Sequence, residues 1–149
     1  MTDTIMLSGG FDPLHIGHVQ MVQDAARYGD VIVVVNTDEW LMRKKGYIFM
    51  PSNERIHIMQ ALKGVVSVFS MNAFKGSDND GTVIEAIRAI KPTYFANGGD
   101  RTKKNVPEQP ICESLGVKML WAIGGDTKPQ SSSWLVNAAI DQMRQGGKL

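Results

Sequence analysis

One cysteine, almost no net charge and no long apolar run set the first limits on this chain. Cys112 alone can form neither an internal disulfide nor a cysteine-cluster zinc site, which fits a reducing compartment and a packed thiol. Sixteen Lys and Arg against 15 Asp and Glu leave a formal charge of +1. That balance argues against a broad nucleic-acid or anionic-membrane surface and makes any anion recognition local. No apolar stretch approaches membrane-spanning length and a strand-like run begins within a few residues of the start, so neither signal peptide nor anchor is expected. The reading is a soluble, cytoplasmic protein. Missing too are GxxxxGK[ST] and any GxGxxG after a strand, which weakens kinase and dehydrogenase readings.

The 149 residues, 43% hydrophobic, suffice for one domain spanning 1–149. Short apolar runs alternate with helical patterns: strands at 5–7, 31–35, 66–70, 93–96 and 118–122, helices at 17–28, 53–62, 81–90, 108–115 and 132–143. Continuous apolar strands such as VIVVV, separated by helices, are what a parallel sheet covered on both faces requires. The expected fold is therefore α/β, a Rossmann-like, doubly wound, five-stranded parallel sheet. Four strand exits are small and polar: Ser8-Gly9-Gly10, Asn36-Thr37-Asp38, Asn97-Gly98-Gly99-Asp100 and Gly124-Gly125-Asp126. In a parallel sheet these line one crevice, where ligands bind at the reversal of winding; singly, each is also an ordinary turn.

Two histidines sit where the first strand gives way to a helix. His15 and His18, three apart, lie on one face of a first turn, beside free backbone N–H groups and the positive end of the helix dipole, and Gly17 between them lets a ligand approach the backbone. This is an anion site with two added donors. A second helix start follows Ser131, Ser132 and Ser133; one serine caps and the others can offer hydroxyls to phosphate, or all three merely cap. Without a neighbouring carboxylate or cysteine, the histidine pair is a poor zinc site. His57 reads as a structural or surface histidine, Asp38 and Glu39 as helix-capping carboxylates, and Arg43-Lys44-Lys45 as either a ligand loop or a solvated charged turn.

GGFDPLHIGH resembles the HxGH signature of the nucleotidyltransferase superfamily. GDVIVVVNTDEW, RKKGY and NERIHIMQAL are similar to its cytidylyltransferase branch, typified by glycerol-3-phosphate cytidylyltransferase, while PTYFANGGDRT and SSSWLV are similar to the heptose-phosphate nucleotidyltransferase domain, which uses ATP. The resemblance implies transfer of a nucleoside monophosphate from a triphosphate to a phosphorylated acceptor, with pyrophosphate released and no covalent intermediate. It assigns His15 and His18 to the α/β-phosphates, Ser131, Ser132 and Ser133 to the leaving phosphates, and Lys45, with Lys44 or Arg43, to a loop swinging in before Pro51. Gly9, Gly10, Phe11, Asp12 and Gly17 shape the nucleotide's approach, Gly98, Gly99 and Asp100 face its base and ribose, and Arg55 closes over the acceptor phosphate, with Arg43 on the acceptor side as well. Magnesium accompanies the triphosphate with few or no protein ligands. The partners so implied are CTP, favoured over ATP, and a small phosphorylated alcohol or sugar; family members are often dimers.

Two departures from the family pattern stand out. Asp126 falls near the arginine that precedes the terminal serines, with Lys128 as a substitute cation, and Met42 falls on the first of the paired lysines. Acceptor contacts fall to residues 47–53 and 72–80, which carry no recognisable code, and Tyr47, Phe49 and Trp134 read equally as interface or core. The alternatives are an ATP-dependent adenylyltransferase acting on a heptose-type sugar phosphate or coenzyme precursor, since the opening also resembles nicotinamide mononucleotide and phosphopantetheine adenylyltransferases, and a nucleotide-binding module without turnover.

Overall fold

Residues 5–7 and 31–35 are apolar without interruption, yet their buried side chains are shared between two cores on opposite faces of the sheet. The computed structural model describes residues 2–75, 82–98, 106–125 and 130–149. Strands β1 (Thr4–Gly9), β2 (Asp30–Val35), β3 (Val65–Ser70), β4 (Tyr94–Ala96) and β5 (Lys118–Leu120) form one sheet in the order β3-β2-β1-β4-β5. All neighbouring pairs are parallel. Ile5, Leu7, Val31, Val33 and Val35 pack on one face with Val22 and Ala25 of helix α1 (Ile16–Ala25). Met59 of helix α3 (Ser52–Gln60) completes that core. Met6, Val34 and Phe95 pack on the other face with Ala86 and Ile87 of α4 (Ile84–Ile90) and Cys112 of α5 (Gln109–Leu115). Side chains of a strand alternate faces, so a strand covered by helices on both sides must be apolar throughout. The expected doubly wound α/β architecture is present.

The chain winds outward from β1 through β2 to β3, then returns to β4 on the other side of β1. The winding therefore reverses between β1 and β4, and the crevice belongs at their C-terminal ends.

Helix α2 (Asp38–Lys45) was not among the expected helices, its end being read as a charged loop or turn, although Asp38 and Glu39 stand in its first turn as the helix-capping carboxylates they were read to be. Only Leu41 is buried in it, so it carries no 3.6-residue apolar stripe. Its ends were legible all the same. Thr37 Oγ1 accepts the Trp40 N–H, Asp38 and Glu39 occupy the first turn, three cations the last, and Gly46 closes it at φ +81°. Elsewhere the corrections are of length. α1 ends at Ala25 rather than 28, α4 begins at Ile84, β5 stops at Leu120, and the C-terminal helix α6 extends over Ser132–Gln145. None of the α6 side chains is buried. Among the described residues no helix is long and apolar enough to cross a membrane.

The entry to β2 depends on a close backbone approach. Asp30 N–H donates to the Asp3 carbonyl at 2.9 Å, and a Cβ on Gly29 would fall inside contact distance of that same carbonyl oxygen. Gly29→Ala should lower the urea midpoint by an amount equivalent to about 1–3 kcal/mol with an unchanged m-value, since the clash is with backbone rather than a movable side chain.

Candidate active site

At the end of β1 the chain enters a loop in which the Asp12 carboxylate and the carbonyls of Gly10, Asp12 and Pro13 all accept hydrogen bonds. Phe11 adopts φ +54° and is buried; its ring lies against Gly9, where a Cβ would come within 3.2 Å, and meets His18 edge-on with centroids 4.9 Å apart. A Cβ on Gly10 would meet Leu41 at 3.0 Å. At these two glycines, expected at the nucleotide, a Cβ would press on the Phe11 ring and a Leu41 methyl, and Phe11, expected to shape the nucleotide's approach, backs a histidine.

His15 and His18 cap α1 reciprocally. His15 Nδ1 accepts the Gly17 N–H at 3.0 Å, and His18 Nδ1 accepts the His15 N–H at 3.2 Å. This is a capping box in which two imidazoles replace the usual hydroxyl and carboxamide. A ring nitrogen that accepts carries no proton, so each neutral ring keeps its proton on Nε2 and presents it as a donor. The rings stack with centroids 3.8 Å apart. Burial first, then the neighbouring His15 and Lys45, pushes the His18 pKa down to about 3. The expectation of free first-turn amides is corrected here. Gly17 N–H is taken by His15, and His18 N–H donates to the His15 carbonyl at 3.0 Å.

The Asp12 carboxylate is fully buried and accepts the Phe49 N–H at 2.7 Å and the Met50 N–H at 2.5 Å. It fastens residues 49–50 to the histidine loop rather than facing a nucleotide. Lys45 reaches the Asp12 carbonyl at 3.5 Å. Of the three cations in the last turn of α2, Lys45 is the half-buried one turned toward the histidines, while Arg43 and Lys44 are exposed. The expected mobile loop is a helix end.

Arg55, expected to close over an acceptor, is 0% exposed. Its guanidinium donates to the carbonyls of Gly10 and Asn36 at 2.8 Å each and Met50 at 2.9 Å, and to Asp38 Oδ1 at 2.6 Å. It ties the exits of β1 and β2 to the segment before α3, and four of its five N–H donors are occupied. Sequence reasoning had no access to this strut, because its partners are mostly carbonyls.

The N-terminus of α6 meets the same loop. Ser132 Oγ donates to the Pro13 carbonyl at 2.8 Å, two residues before His15. Ser131 occupies the N-cap position without a side-chain bond to the helix, so no serine caps the first turn of α6. Ser133 is exposed. Gly98 follows β4 at the same sheet edge, and the neighbouring Asn97 staples β4 to β5 through Nδ2 to the Leu120 carbonyl at 3.1 Å. Gly99, Asp100, Asp126 and Lys128 lie outside the described residues, as does 76–80 of the expected acceptor stretch. Among the described residues no three His, Cys, Asp or Glu side chains converge on a metal position. Cys112 is buried, its pKa pushed up to about 11 by desolvation and by Glu108 and Glu113, and offers no nucleophile.

Residues 6–137 match the family model described as cytidylyltransferase-like. The chain is 41% identical over 123 residues to the bifunctional protein HldE of Actinobacillus succinogenes, covering 82% of this chain and 23% of that protein. It is 32% identical over 149 residues to the bifunctional protein HldE of Syntrophotalea carbinolica, covering 95% of this chain and 28% of that one. The chain thus spans about a quarter of the length of these curated relatives. Its fold is similar to the crystal structure of the lipopolysaccharide core biosynthesis protein from Thermoplasma volcanium, with a TM-score of 0.63 and 24% identity over 81% of this chain and 96% of that one.

Two measurements probe this arrangement. Arg55→Met leaves a carboxylate and three carbonyls without their buried partner, so the unfolding free energy should drop by about 3–5 kcal/mol, with Asp38→Asn milder; wild-type stability in Arg55→Met would refute the strut. For His18 the native pKa lies below the unfolded value of 6.5. The unfolded state therefore binds the extra proton, and stability is full above pH 6.5 and declines as pH falls toward 3, by up to about 1.4 kcal/mol per pH unit. His18→Gln keeps an acceptor for the His15 N–H, so it should hold neutral stability while removing this acid-side slope in urea titrations.

Proposed function

Because the chain belongs to the cytidylyltransferase-like family, we propose that its crevice transfers a nucleoside monophosphate from a nucleoside triphosphate to a phosphorylated acceptor, releasing pyrophosphate. The observation that carries this reading is the Ser132–Pro13 hydrogen bond, which brings the uncapped start of α6 against the imidazole-capped start of α1. One helix end suits the leaving β/γ-phosphates. The other suits the α-phosphate, where charge grows.

In the reaction an acceptor phosphate oxygen attacks the α-phosphorus in line, a new O–P bond forms, the α–β bridging P–O bond breaks, and the electron pair leaves with pyrophosphate. No proton need be abstracted, since the attacking phosphate is ionised at neutral pH. The protein's part is positioning and charge stabilisation. His15 and His18 act as neutral Nε2–H donors to the transferring group. Lys45 supplies the nearby cation. Gly98, Gly99 and Asp100 remain assigned to base and ribose through the family resemblance, and Arg43 and Lys44 to the acceptor side. Magnesium enters with the triphosphate, because the Asp12 carboxylate is spent on two backbone amides and the described residues offer no carboxylate cage.

The likeness to the HldE proteins, together with PTYFANGGDRT and SSSWLV, supports a sugar phosphate of the heptose type as acceptor. It also raises ATP to a level with CTP as donor. A homodimer and a cytoplasmic setting are part of the same proposal.

A pyrophosphate-release screen of ATP, CTP, UTP and GTP against heptose, glycerol, ribitol, choline and ethanolamine phosphates tests this reading. His15→Ala and Lys45→Ala should each lower kcat by about 10²–10³ with little change in nucleotide affinity. The wild-type rate should show no His18 titration between pH 5 and 8, the ring being neutral throughout. Nucleotide binding without turnover across the panel would leave a binding module instead.

A further inference from the structure

Among the described residues, Phe49 combines a backbone held from inside the protein with a side chain left in solvent. Its N–H is bound at 2.7 Å by the buried Asp12 carboxylate, and the next residue is held on both sides, Met50 N–H by Asp12 and Met50 carbonyl by Arg55 Nε at 2.9 Å. Yet Phe49 is 60% exposed. Single exposed apolar residues are common on protein surfaces, and what sets this one apart is its mounting. Asp12 lies three residues before His15, its carbonyl is the group Lys45 reaches, and Gly46 in the left-handed conformation turns the chain from Lys45 back toward it. The same buried carboxylate thus fixes the backbone of the histidine loop and the backbone of Phe49.

Ile16, beside His15, and Met42, one turn before Lys45, are also large apolar side chains left about half exposed. A site built for phosphate alone has no use for exposed apolar side chains beside its histidine and lysine in the chain. An acceptor with an apolar face does.

We propose that Phe49 is the acceptor's platform: its ring receives the C–H face of a pyranose while Lys45 and the imidazoles engage the phosphate that the sugar carries. This rests on the transferase reading above for the acceptor's chemical class. One face of a pyranose presents C–H bonds rather than hydroxyls, and their partly positive hydrogens suit the negative face of an aromatic ring. A backbone anchored in advance leaves only the side-chain rotamers of Phe49 to be ordered when the sugar arrives. A linear acceptor such as glycerol phosphate presents no such face. Phe49 would then select ringed over linear acceptors without touching the transferring phosphorus, and its removal should act on acceptor KM rather than kcat.

The test compares wild type, Phe49→Ala and Phe49→Trp with a pyranose heptose phosphate and with glycerol 3-phosphate, using calorimetric binding as well as pyrophosphate release. Phe49→Ala should weaken heptose phosphate binding and raise its KM about tenfold, with kcat, nucleotide KM and glycerol phosphate binding within about twofold of wild type, and Phe49→Trp should recover most of the loss. Equal effects on both acceptors, no effect on either, or failure of Phe49→Trp to rescue would overturn the platform. So would a wild type that binds heptose phosphate no more tightly than glycerol phosphate, or a Phe49→Ala variant that changes oligomeric state with its acceptor KM unmoved. Wild-type protein that binds heptose phosphate through Phe49 but releases no pyrophosphate would remove the transferase reading and leave the platform standing.

Discussion

Two imidazoles closing a helix start, His15 by accepting the Gly17 N–H and His18 by accepting the His15 N–H, form the interaction on which the rest of the crevice depends. An ordinary capping box ends its work at the helix. Here the capping side chains are aromatic rings with a second nitrogen, so the hydrogen bond that satisfies the backbone also decides the tautomer and leaves Nε2–H as a donor. Burial and the neighbouring Lys45 then keep His18 neutral. A protonated ring would lose its Nδ1 acceptor and break the cap. Structural demand and chemical demand therefore select the same protonation state.

Around this box stand two charged groups that were expected to meet ligands and instead hold the walls. Asp12 spends both oxygens on backbone amides of residues 49–50, and Arg55 spends its guanidinium on three carbonyls and Asp38. Loops lack ladder partners for their own polar groups, so loops that form a crevice need side chains to satisfy them. The outcome is a braced wall that carries Lys45 and the backbone of Phe49. The α6 side differs, since it is joined by the Ser132–Pro13 bond and buries none of its side chains.

Legibility followed period and packing. The doubly wound class could be read because strands buried on both faces, as β1 and β2 are, need apolar runs such as VIVVV, and helical patterns separate one strand from the next. HxGH could be read because histidines three apart at a strand-to-helix junction combine unusual chemistry with a local spacing. Helix α2 was missed because one buried leucine makes no stripe, although its cap, its charge gradient and Gly46 marked both ends.

What the amino-acid order determined alone was local: which segments are strands, where helices start, and which residue types could meet a phosphate. Whether a charged residue faces ligand or backbone was decided only by the tertiary structure. Arg55 and Arg43 look alike in sequence, yet one lies under the crevice with 0% exposure and the other on an exposed helix turn. The physical reason is that a buried ion's partners here are carbonyls and amides brought from residues 10, 36, 49 and 50 by the order of the strands. Backbone groups are the same at every residue, so a sequence carries no mark of which of them a side chain will find.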